Sequence, residues 1–241
     1  MKRTGPLAPG IAFITGGARG LGNAIAVSFA KEGSKGICLA IHADVTKEED
    51  VQRAVAEAVA EFGRIDYAAN FAGVIGSSKC IWELTKEEFE QGMAVNSTGV
   101  LLNRSEPGRF IQTGSIINCA SVNSLQSMAG TATYTASKHA VVGITKGAAL
   151  EARKYGIRVN AVSPGFLLTD MVKGAVESEG KDVGTHLGTS IWKQFEARQG
   201  RSAVFEEIGD VVVLVSTPKM SLVNGHNIMV DGGFTINESN I

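Results

Sequence analysis

The amino-acid sequence predicts a three-layer α/β fold, in which helices cover both faces of a doubly wound parallel sheet. Short apolar runs alternate with helical patterns along the 241 residues, and parallel strands need helices as crossover connections. Hydrophobic residues make up 44% and charged residues 20% of the chain, which is typical of globular proteins. No stretch is rich enough in Pro, Ser or Gly to serve as a linker, so we expect a single domain over residues 1–241.

The first part of the chain contains four predicted elements. In chain order they are the strand Ile11–Thr15, the helix Gly20–Lys31, the strand Ile37–Val45 and the helix Thr46–Phe62. Each strand is a short apolar run, and the first of them ends against a glycine cluster. The second helix has apolar residues three or four positions apart, and Thr46 and Glu49 have the spacing of a capping box.

The same alternation continues through the rest of the chain. It predicts the strand Ile65–Ala72, a helix from Lys86 to about Leu102, the strand Ser115–Ala120, the helix Thr135–Lys154, the strand Ile157–Val162, the helix Phe205–Ser216 and the strand His226–Val230. Ligands of parallel sheets bind beyond the carboxyl ends of the strands, so we expect the functional residues there.

Charge and cysteine content exclude several classes of partner. The 23 basic and 24 acidic residues leave a net charge of -1, without the basic stripe that nucleic acid or an anionic membrane surface would need. No apolar run approaches the ~20 residues that cross a bilayer. Cys38, Cys80 and Cys119 form no C-x-x-C pair, which argues against a zinc or other metal site and favours a reducing cytoplasm.

A glycine-rich segment, Thr15-Gly16-Gly17-Ala18-Arg19-Gly20-Leu21-Gly22, follows the first strand and opens the first helix. Glycines allow a tight turn and a close approach of the backbone to a pyrophosphate, and the helix N-terminus supplies free N–H donors. The spacing differs from the common dinucleotide fingerprint, and an ordinary glycine-rich turn is the alternative interpretation. The strand-turn-helix context favours a nucleotide site.

Four further residues are candidates for catalysis. Tyr134 and Lys138 are four positions apart on a helix, so they share a face, and a nearby ammonium stabilises the phenolate form of a tyrosine. Such a pair is common by chance. Ser121 ends a strand, where it could face a ligand or only cap a turn. Asn96 lies in an apolar helix, where a satisfied core amide is the alternative interpretation.

These motifs occur in the order found in short-chain dehydrogenases/reductases, and the chain resembles that family from about Gly10 to Gly233. The likeness extends to the segments Asn70-Phe71-Ala72-Gly73, Pro164-Gly165 and Asp231-Gly232-Gly233. The resemblance implies a Rossmann-type fold. It also implies an NAD(P)-dependent oxidoreductase that interconverts a secondary alcohol and a ketone by hydride transfer.

The resemblance assigns a role to each candidate residue. It makes Tyr134 the general acid/base, Ser121 the group that polarises the substrate oxygen, Lys138 the ligand of the nicotinamide ribose that also favours ionisation of Tyr134, and Asn96 the holder of a water molecule. The resemblance also assigns cofactor binding to the residues of the turn, which are Gly16, Arg19, Gly20, Leu21 and Gly22. It places Asp44 and Val45 at the adenine ring, and Asn70, Ala72 and Gly73 on the adenosine side. It places Pro164, Gly165, Leu167 and Thr169 at the nicotinamide, and it makes Tyr134 and Lys138 cofactor ligands as well.

Two segments are shorter here than in the family. Between the first helix and Thr46 there is one predicted strand, Ile37–Val45, where the family has a strand, a helix and another strand, so one βα unit is lacking. The helix that stops within Leu101–Pro107 is also short. Either the gene is trimmed or segments are missing from the sequence. The first gap removes the acidic residue that would bind the ribose of NAD, so the cofactor is NAD or NADP.

The main hypothesis is therefore an enzyme with a small-molecule substrate, and the alternative is a non-catalytic nucleotide-binding or scaffold protein inactivated by the deletions. Residues 166–201 are expected to form a lid over the substrate. The lid residues Phe166, Met171, Trp192 and Phe195 indicate an apolar or aromatic substrate, or else packing of the lid against the domain. By resemblance we expect a homo-oligomer, in particular a tetramer, with interfaces at Thr135–Lys154 and at Val230–Phe234.

Overall fold

The structure is a computed structural model that describes residues 10–33, 37–102, 114–169 and 189–236. Its centre is a parallel sheet of five strands whose order follows the order of the chain. The strands are β1 (Ala12–Thr15), β2 (Tyr67–Asn70), β3 (Gly114–Cys119), β4 (Ile157–Pro164) and β5 (Asn227–Val230). Thr15 lies opposite Asn70, and Asn70 lies opposite Asn118, so the first three strands have their carboxyl ends side by side at the same end of the sheet.

Helices connect the strands. They are α1 (Gly20–Glu32), α2 (Glu48–Phe62), α3 (Lys86–Met93), α4 (Gly99–Leu102), α5 (Ala132–Ala152), α6 (Thr189–Gln199) and α7 (Phe205–Ser216). A π-helical turn, Ala94–Thr98, joins α3 to α4. Short 3₁₀ turns occur at Val122–Ser124, Arg153–Tyr155 and Pro218–Met220. Helix α6 lies in the segment expected to form a lid, where the sequence predicted no helix.

Two apolar cores lie on the two faces of the sheet. Ile25 and Phe29 of α1 pack with Val212 of α7 against Ile117 and other residues of the strands. On the opposite face Val55 and Ala58 of α2 pack with Ala149 of α5. Helices therefore cover both faces, which confirms the three-layer α/β fold with a parallel sheet.

The strand predicted at Ile37–Val45 is wrong. Residues 37–45 are irregular, and the side chains of Ile37 and Leu39 are exposed. A strand of a covered parallel sheet needs buried side chains and a hydrogen-bonded neighbour, and this segment has neither. In the described part of the chain β1 pairs with β2 alone, so β1 is an edge strand.

The capping box predicted from Thr46 and Glu49 is also wrong. Helix α2 begins at Glu48, and its N-cap residue Lys47 makes no side-chain cap bond. The Thr46 hydroxyl instead donates to the Asp44 carboxylate at 2.8 Å, as does the Thr46 main-chain N–H at 3.0 Å. A carboxylate is a stronger acceptor than a hydroxyl, so Asp44 organises this turn.

The segment Leu101–Pro107, which was predicted to be shorter than in the family, lies partly outside the described ranges. Helix α4 ends at Leu102, the last residue of its range, and residues 103–113 are not described. The first gap was predicted near Gly36 to Cys38, and Gly36 lies outside the described residues together with Ser34 and Lys35.

Candidate active site

A cavity of about 570 Å³ opens at the carboxyl ends of the strands. Fourteen of the predicted site residues line it, namely Gly16, Arg19, Gly20, Leu21, Gly22, Ala72, Gly73, Ser121, Tyr134, Lys138, Pro164, Gly165, Leu167 and Thr169. The topology thus brings together segments that are far apart in the sequence. Asp44, Val45, Asn70 and Asn96 do not line this cavity in the described structure.

The glycine-rich turn forms one end of the cavity. Gly16 has a φ of +71°, and a Cβ atom there would lie 2.9 Å from the Ala72 nitrogen, so a larger residue would be strained and would clash. The Thr15 hydroxyl oxygen accepts from the main-chain N–H groups of Phe71 and Ala72 at 3.1 and 3.2 Å, which ties the turn to the end of β2.

Helix α1 starts at the cavity wall. Its N-cap residue Arg19 makes no side-chain cap bond, and its first turn contains no acidic residue. The N–H groups at this helix end, together with the positive end of the helix dipole, can therefore bind a phosphate group. The turn and the helix start fit the pyrophosphate of a dinucleotide.

Tyr134 and Lys138 lie one turn apart in α5 and both face the cavity. The Lys138 Nζ atom is 5.4 Å from the centroid of the Tyr134 ring and donates to the Cys119 main-chain oxygen at 2.8 Å. Burial alone lowers the pKa of this ammonium, but Cys119 and Tyr134 outweigh burial and raise the pKa above its ordinary value. Lys138 is therefore positively charged beside the phenol at neutral pH.

Ser121 lies two residues after the end of β3 and is buried at the cavity wall. Its Oγ atom accepts from the Asn123 main-chain N–H at 3.2 Å and so caps the turn Val122–Ser124. Because Oγ is the acceptor in this bond, the hydroxyl proton stays available for donation to a ligand. The capping interpretation and the ligand-binding interpretation are thus compatible.

Asn96 lies behind the cavity, in the π-helical turn. Its amide oxygen accepts from the Val74 main-chain N–H at 2.8 Å, and its amide nitrogen donates to the Val74 main-chain oxygen at 2.8 Å. The same nitrogen also donates to the Ser137 hydroxyl at 3.0 Å. A Cβ atom on Gly73 would lie 3.2 Å from the Asn96 oxygen and 3.9 Å from the Lys138 nitrogen. Asn96 is a satisfied core amide, and its predicted role in holding a water molecule stays a prediction.

The other three predicted residues outside the cavity have structural contacts of their own. The Asn70 amide donates to Asn118 Oδ1 at 2.8 Å inside the sheet. Bonds from the Thr46 main chain and side chain lower the pKa of the Asp44 carboxyl. The Val45 side chain packs against Gly99 of α4. Binding of the cofactor by these residues stays a prediction.

The structure adds residues to the cavity that the sequence analysis did not assign to the site. They are Ala18, Phe71, Val74, Ile75, Cys119, Ala120, Val122, Asn123, Met128 and Thr131. Asn123 was predictable in part, because it lies two positions after Ser121 at a strand end. Its contacts with Thr131 and Thr135 come from another element and leave no trace in the local sequence.

Aromatic residues close the far side of the cavity. Phe166 stacks on Phe195 of α6 with ring centroids 4.4 Å apart, and it contacts Trp192 edge-on at 5.9 Å. Phe166 and Trp192 line the cavity, whereas Phe195 backs them. These aromatic residues therefore pack against one another, whereas an apolar or aromatic substrate stays a prediction. Met171 lies outside the described residues.

Gln199, the last residue of α6, fixes this aromatic wall to the sheet. Its amide oxygen accepts from the Phe166 N–H at 2.6 Å, and its amide nitrogen donates to the oxygens of Phe166 and Arg201 at 3.0 and 2.8 Å. Phe166, two residues after the end of β4, is therefore held by a side chain from the segment expected to form the lid.

No cluster of three or more metal-ligating side chains occurs among residues 10–33, 37–102, 114–169 and 189–236. Over the same residues, no helix combines the length and apolar character needed to cross a membrane.

Known proteins resemble this chain over most of its length. Residues 23–235 match the family profile described as enoyl-(acyl carrier protein) reductase. The chain is 37% identical to a short-chain dehydrogenase of Neurospora crassa, over 94% of this chain and 97% of that protein. It is 34% identical to (+)-borneol dehydrogenase 2 of Salvia officinalis, over 93% of this chain and 89% of that protein.

Solved structures give the same result. The crystal structure of levodione reductase matches with a TM-score of 0.85 and 29% identity, over 94% of this chain and 97% of that chain. The alignment with the Neurospora protein spans 272 positions, more than the 241 residues of this chain, so that relative contains residues without a counterpart here. This difference agrees with the short segments seen in the sequence.

Proposed function

The chain belongs to the short-chain dehydrogenase/reductase family and is an oxidoreductase, and from this premise we propose that it interconverts a secondary alcohol and a ketone with NAD or NADP. The observation that carries the proposal is that Ser121, Tyr134 and Lys138 open onto the same cavity as the glycine-rich turn. A dinucleotide held by the glycine-rich turn and a substrate held by Ser121 and Tyr134 would then lie side by side in this cavity.

The residues present fit a dinucleotide. Gly16 and Gly22 let the turn pack closely against the end of β2 and the start of α1, because a Cβ atom at either position would clash with main-chain atoms. A Cβ atom at Gly20 would meet no other atom within 4 Å, and α1 begins at this residue without a side-chain cap bond. Gly16, Gly20 and Gly22 would hold the phosphates, and Pro164, Gly165, Leu167 and Thr169 would surround the nicotinamide. A bound nicotinamide supplies or accepts the hydride.

The chain's own residues supply the proton chemistry. In the reductive direction the Tyr134 hydroxyl donates its proton to the substrate oxygen, while the Ser121 hydroxyl donates a hydrogen bond to that oxygen. The Lys138 ammonium stabilises the phenolate left on Tyr134. In the oxidative direction the phenolate takes the proton back from the alcohol.

The cavity walls favour an apolar substrate. Phe166, Trp192, Val122 and Met128 offer apolar surface at the substrate end. Among the relatives, a (+)-borneol dehydrogenase is named for a cyclic, largely apolar secondary alcohol. We propose the same class of substrate here, with residues 166–201 as its lid.

A non-catalytic scaffold gains no support from the described structure. The cavity is formed although the segment Ile37–Val45 makes no strand, and the relatives carry names of dehydrogenases and reductases. The three cysteines are free, which is compatible with the cytoplasmic location that we propose.

Fluorescence titration tests the cofactor site. The chain contains two tryptophans, and Trp82 is 81% exposed whereas Trp192 lines the cavity. In a Trp82→Phe background, NADH or NADPH is expected to quench the remaining emission. Adding Gly16→Ala should abolish quenching, because the new methyl group would meet Ala72.

The matched control is Gly143→Ala, since a Cβ atom at Gly143 meets no other atom within 4 Å. This variant should bind the dinucleotide as the parent does. Absence of quenching by both nucleotides, or equal quenching with and without Gly16→Ala, would overturn the assignment of the cofactor site. Oxidation of cyclic secondary alcohols by the same protein then tests the reaction itself.

A further inference from the structure

One buried polar group in the cavity has no role in the chemistry described above. Asn123 is 1% exposed and lines the cavity two residues after Ser121. Its amide nitrogen donates to Thr131 Oγ1 at 3.2 Å and to Thr135 Oγ1 at 3.1 Å. Its amide oxygen accepts no hydrogen bond from the described part of the chain.

The hydrogen-bond network fixes which amide atom is free. The Thr131 hydroxyl donates to the Met128 main-chain oxygen at 2.8 Å, so its proton is used and its oxygen must accept from Asn123. The atom that faces Thr131 is therefore the amide nitrogen. Asn123 Oδ1 is left as a fixed acceptor.

This acceptor is reachable from the cavity. Within the described ranges, the side-chain atoms that are fully enclosed and have no hydrogen-bond partner are the hydroxyl oxygens of Ser115 and Thr133. Asn123 Oδ1 has no partner either but does not belong to this set, so it is not fully enclosed. Asn123 is otherwise buried, and the space that it lines is the cavity. A ligand that fills the cavity without bonding this oxygen would leave a buried acceptor unsatisfied, which is unfavourable.

We infer that Asn123 is a specificity-determining residue that accepts a hydrogen bond from a second hydroxyl group of the substrate. The inference rests on the proposed function and narrows its substrate class to apolar secondary alcohols or ketones that carry another hydroxyl group near the reacting carbon. The Asn123 main-chain N–H donates to Ser121 Oγ and its side-chain nitrogen donates to Thr135, which directly follows Tyr134, so Asn123 lies beside the residues that would act on the reacting oxygen.

A hydroxyl group fits better than an ammonium group. The described lining of the cavity contains no Asp or Glu, and its charged side chains are Arg19 and Lys138. A buried cation would meet these like charges without a compensating carboxylate. A neutral O–H donor satisfies the Asn123 oxygen at no such cost.

Binding to the dinucleotide-loaded protein tests the inference. Matched ligands are a cyclohexanediol and the methylcyclohexanol in which a methyl group replaces the second hydroxyl. Calorimetry gives the ratio of the two Kd values for each protein. Asn123→Leu should shift this ratio toward the methyl compound by about 3- to 10-fold, the range of one net hydrogen bond.

Two further variants separate a specific role from a structural one. Asn123→Gln keeps both the amide donor and the amide acceptor, and it should retain the preference for the diol that Asn123→Leu loses. Ile75→Val changes the apolar lining of the same cavity at a residue with no role in the proposed binding of substrate, and it should leave the ratio unchanged. If Asn123→Leu does not fold, as judged by circular dichroism and dinucleotide binding, Asn123→Ala carries the same expectation.

An equal ratio in the parent protein and in the folded Asn123→Leu or Asn123→Ala variant would overturn the inference. Turnover is measured separately on both ligands. If the ratio of Kd values shifts but the parent protein turns over neither ligand, the role of Asn123 is supported and the proposed reaction is refuted. If the parent turns over the ligands but the ratio does not shift, the proposed reaction is supported and the role of Asn123 is refuted.

Discussion

The Tyr134 hydroxyl is the group on which the proposed proton transfer depends. Tyr134→Phe keeps the ring and removes the proton, so kcat/KM should fall by about 100- to 10,000-fold, the usual contribution of general acid/base catalysis. The Kd for the dinucleotide should change little, because the hydroxyl acts on the substrate. Steady-state kinetics and fluorescence titration measure the two quantities.

Tyr155 provides a matched control for this residue. The Lys154 ammonium lies 5.0 Å from the Tyr155 ring centroid, so the pair resembles Tyr134 and Lys138, but Tyr155 is outside the cavity. Tyr155→Phe should retain full activity. More than half the parent rate in Tyr134→Phe would rule out this hydroxyl as the proton donor.

Single residues show what the sequence could and could not reveal. The place of Tyr134, Lys138 and Ser121 at the cavity was predictable, because each lies in a helical turn or at a strand end, whereas their catalytic roles stay predictions. The place of Asn123 at the cavity was missed, because its amide is held by Thr131 and Thr135, which are eight and twelve positions away. Local patterns carry no information on such contacts.

At the scale of elements, the end of α7 depends on one half-buried guanidinium. Arg158 of β4 donates to the main-chain oxygens of Val215, Ser216, Thr217 and Val223 over 2.9 to 3.2 Å. Arg158→Met should lower the free energy of unfolding by about 2–4 kcal/mol, because several buried carbonyl groups lose their donor. Urea unfolding followed by circular dichroism measures the loss.

The control for this substitution is Arg53→Met on α2. Arg53 is half-exposed and makes salt bridges with Asp50 and Glu57. Exposed ion pairs contribute about 0–1 kcal/mol, so this variant should be almost as stable as the parent. Equal losses in the two variants would contradict the role assigned to Arg158.

Helix α3 should make stability depend on pH. Glu88 accepts from Lys79, from the Ser77 hydroxyl and from the Thr85 N–H, and these bonds, that of Lys79 foremost, lower the pKa of its carboxyl to about 2. The lowered pKa in the folded state stabilises the fold above the ordinary pKa of 4.5, and the contribution is lost as pH falls from there toward 2.

Glu88→Gln should therefore be less stable than the parent at neutral pH, and the difference should shrink between about pH 4.5 and pH 2. Urea unfolding over that pH range measures it. Glu90→Gln, on the same helix, removes the same charge and serves as the control. A difference that stays constant with pH would contradict this account of Glu88.

The elements were predictable where the apolar pattern coincides with burial. Five of the six predicted strands and all five predicted helices are present, with ends that differ by a few residues. The segment Ile37–Val45 has the composition of a strand but no neighbour with which to pair, and pairing is not a property of the segment alone. Helix α6 was missed because its apolar residues face an aromatic cluster rather than the sheet.

At the scale of the whole molecule, we predict a homotetramer. Helix α5 was expected at one interface, and its residue Leu150 is 64% exposed in the described structure. Sedimentation at micromolar concentration should give the mass of four chains. Leu150→Glu should shift the distribution to smaller species, because the interface would have to bury a charge.

Leu125→Glu is the matched control, since Leu125 is 62% exposed but lies outside both expected interfaces. It should leave the assembly unchanged. A parent protein with the mass of one chain would refute the tetramer.

The position of β1 at the edge of the sheet has a consequence for motion. In the described structure this strand of four residues is held by β2 alone, yet it carries the turn that would bind the dinucleotide phosphates. A strand that is hydrogen-bonded to one neighbouring strand unfolds locally more often than a strand with two neighbours. The amide protons of β1 should therefore exchange with solvent deuterium faster than those of β3, and a bound dinucleotide should slow that exchange by bridging the turn to α1.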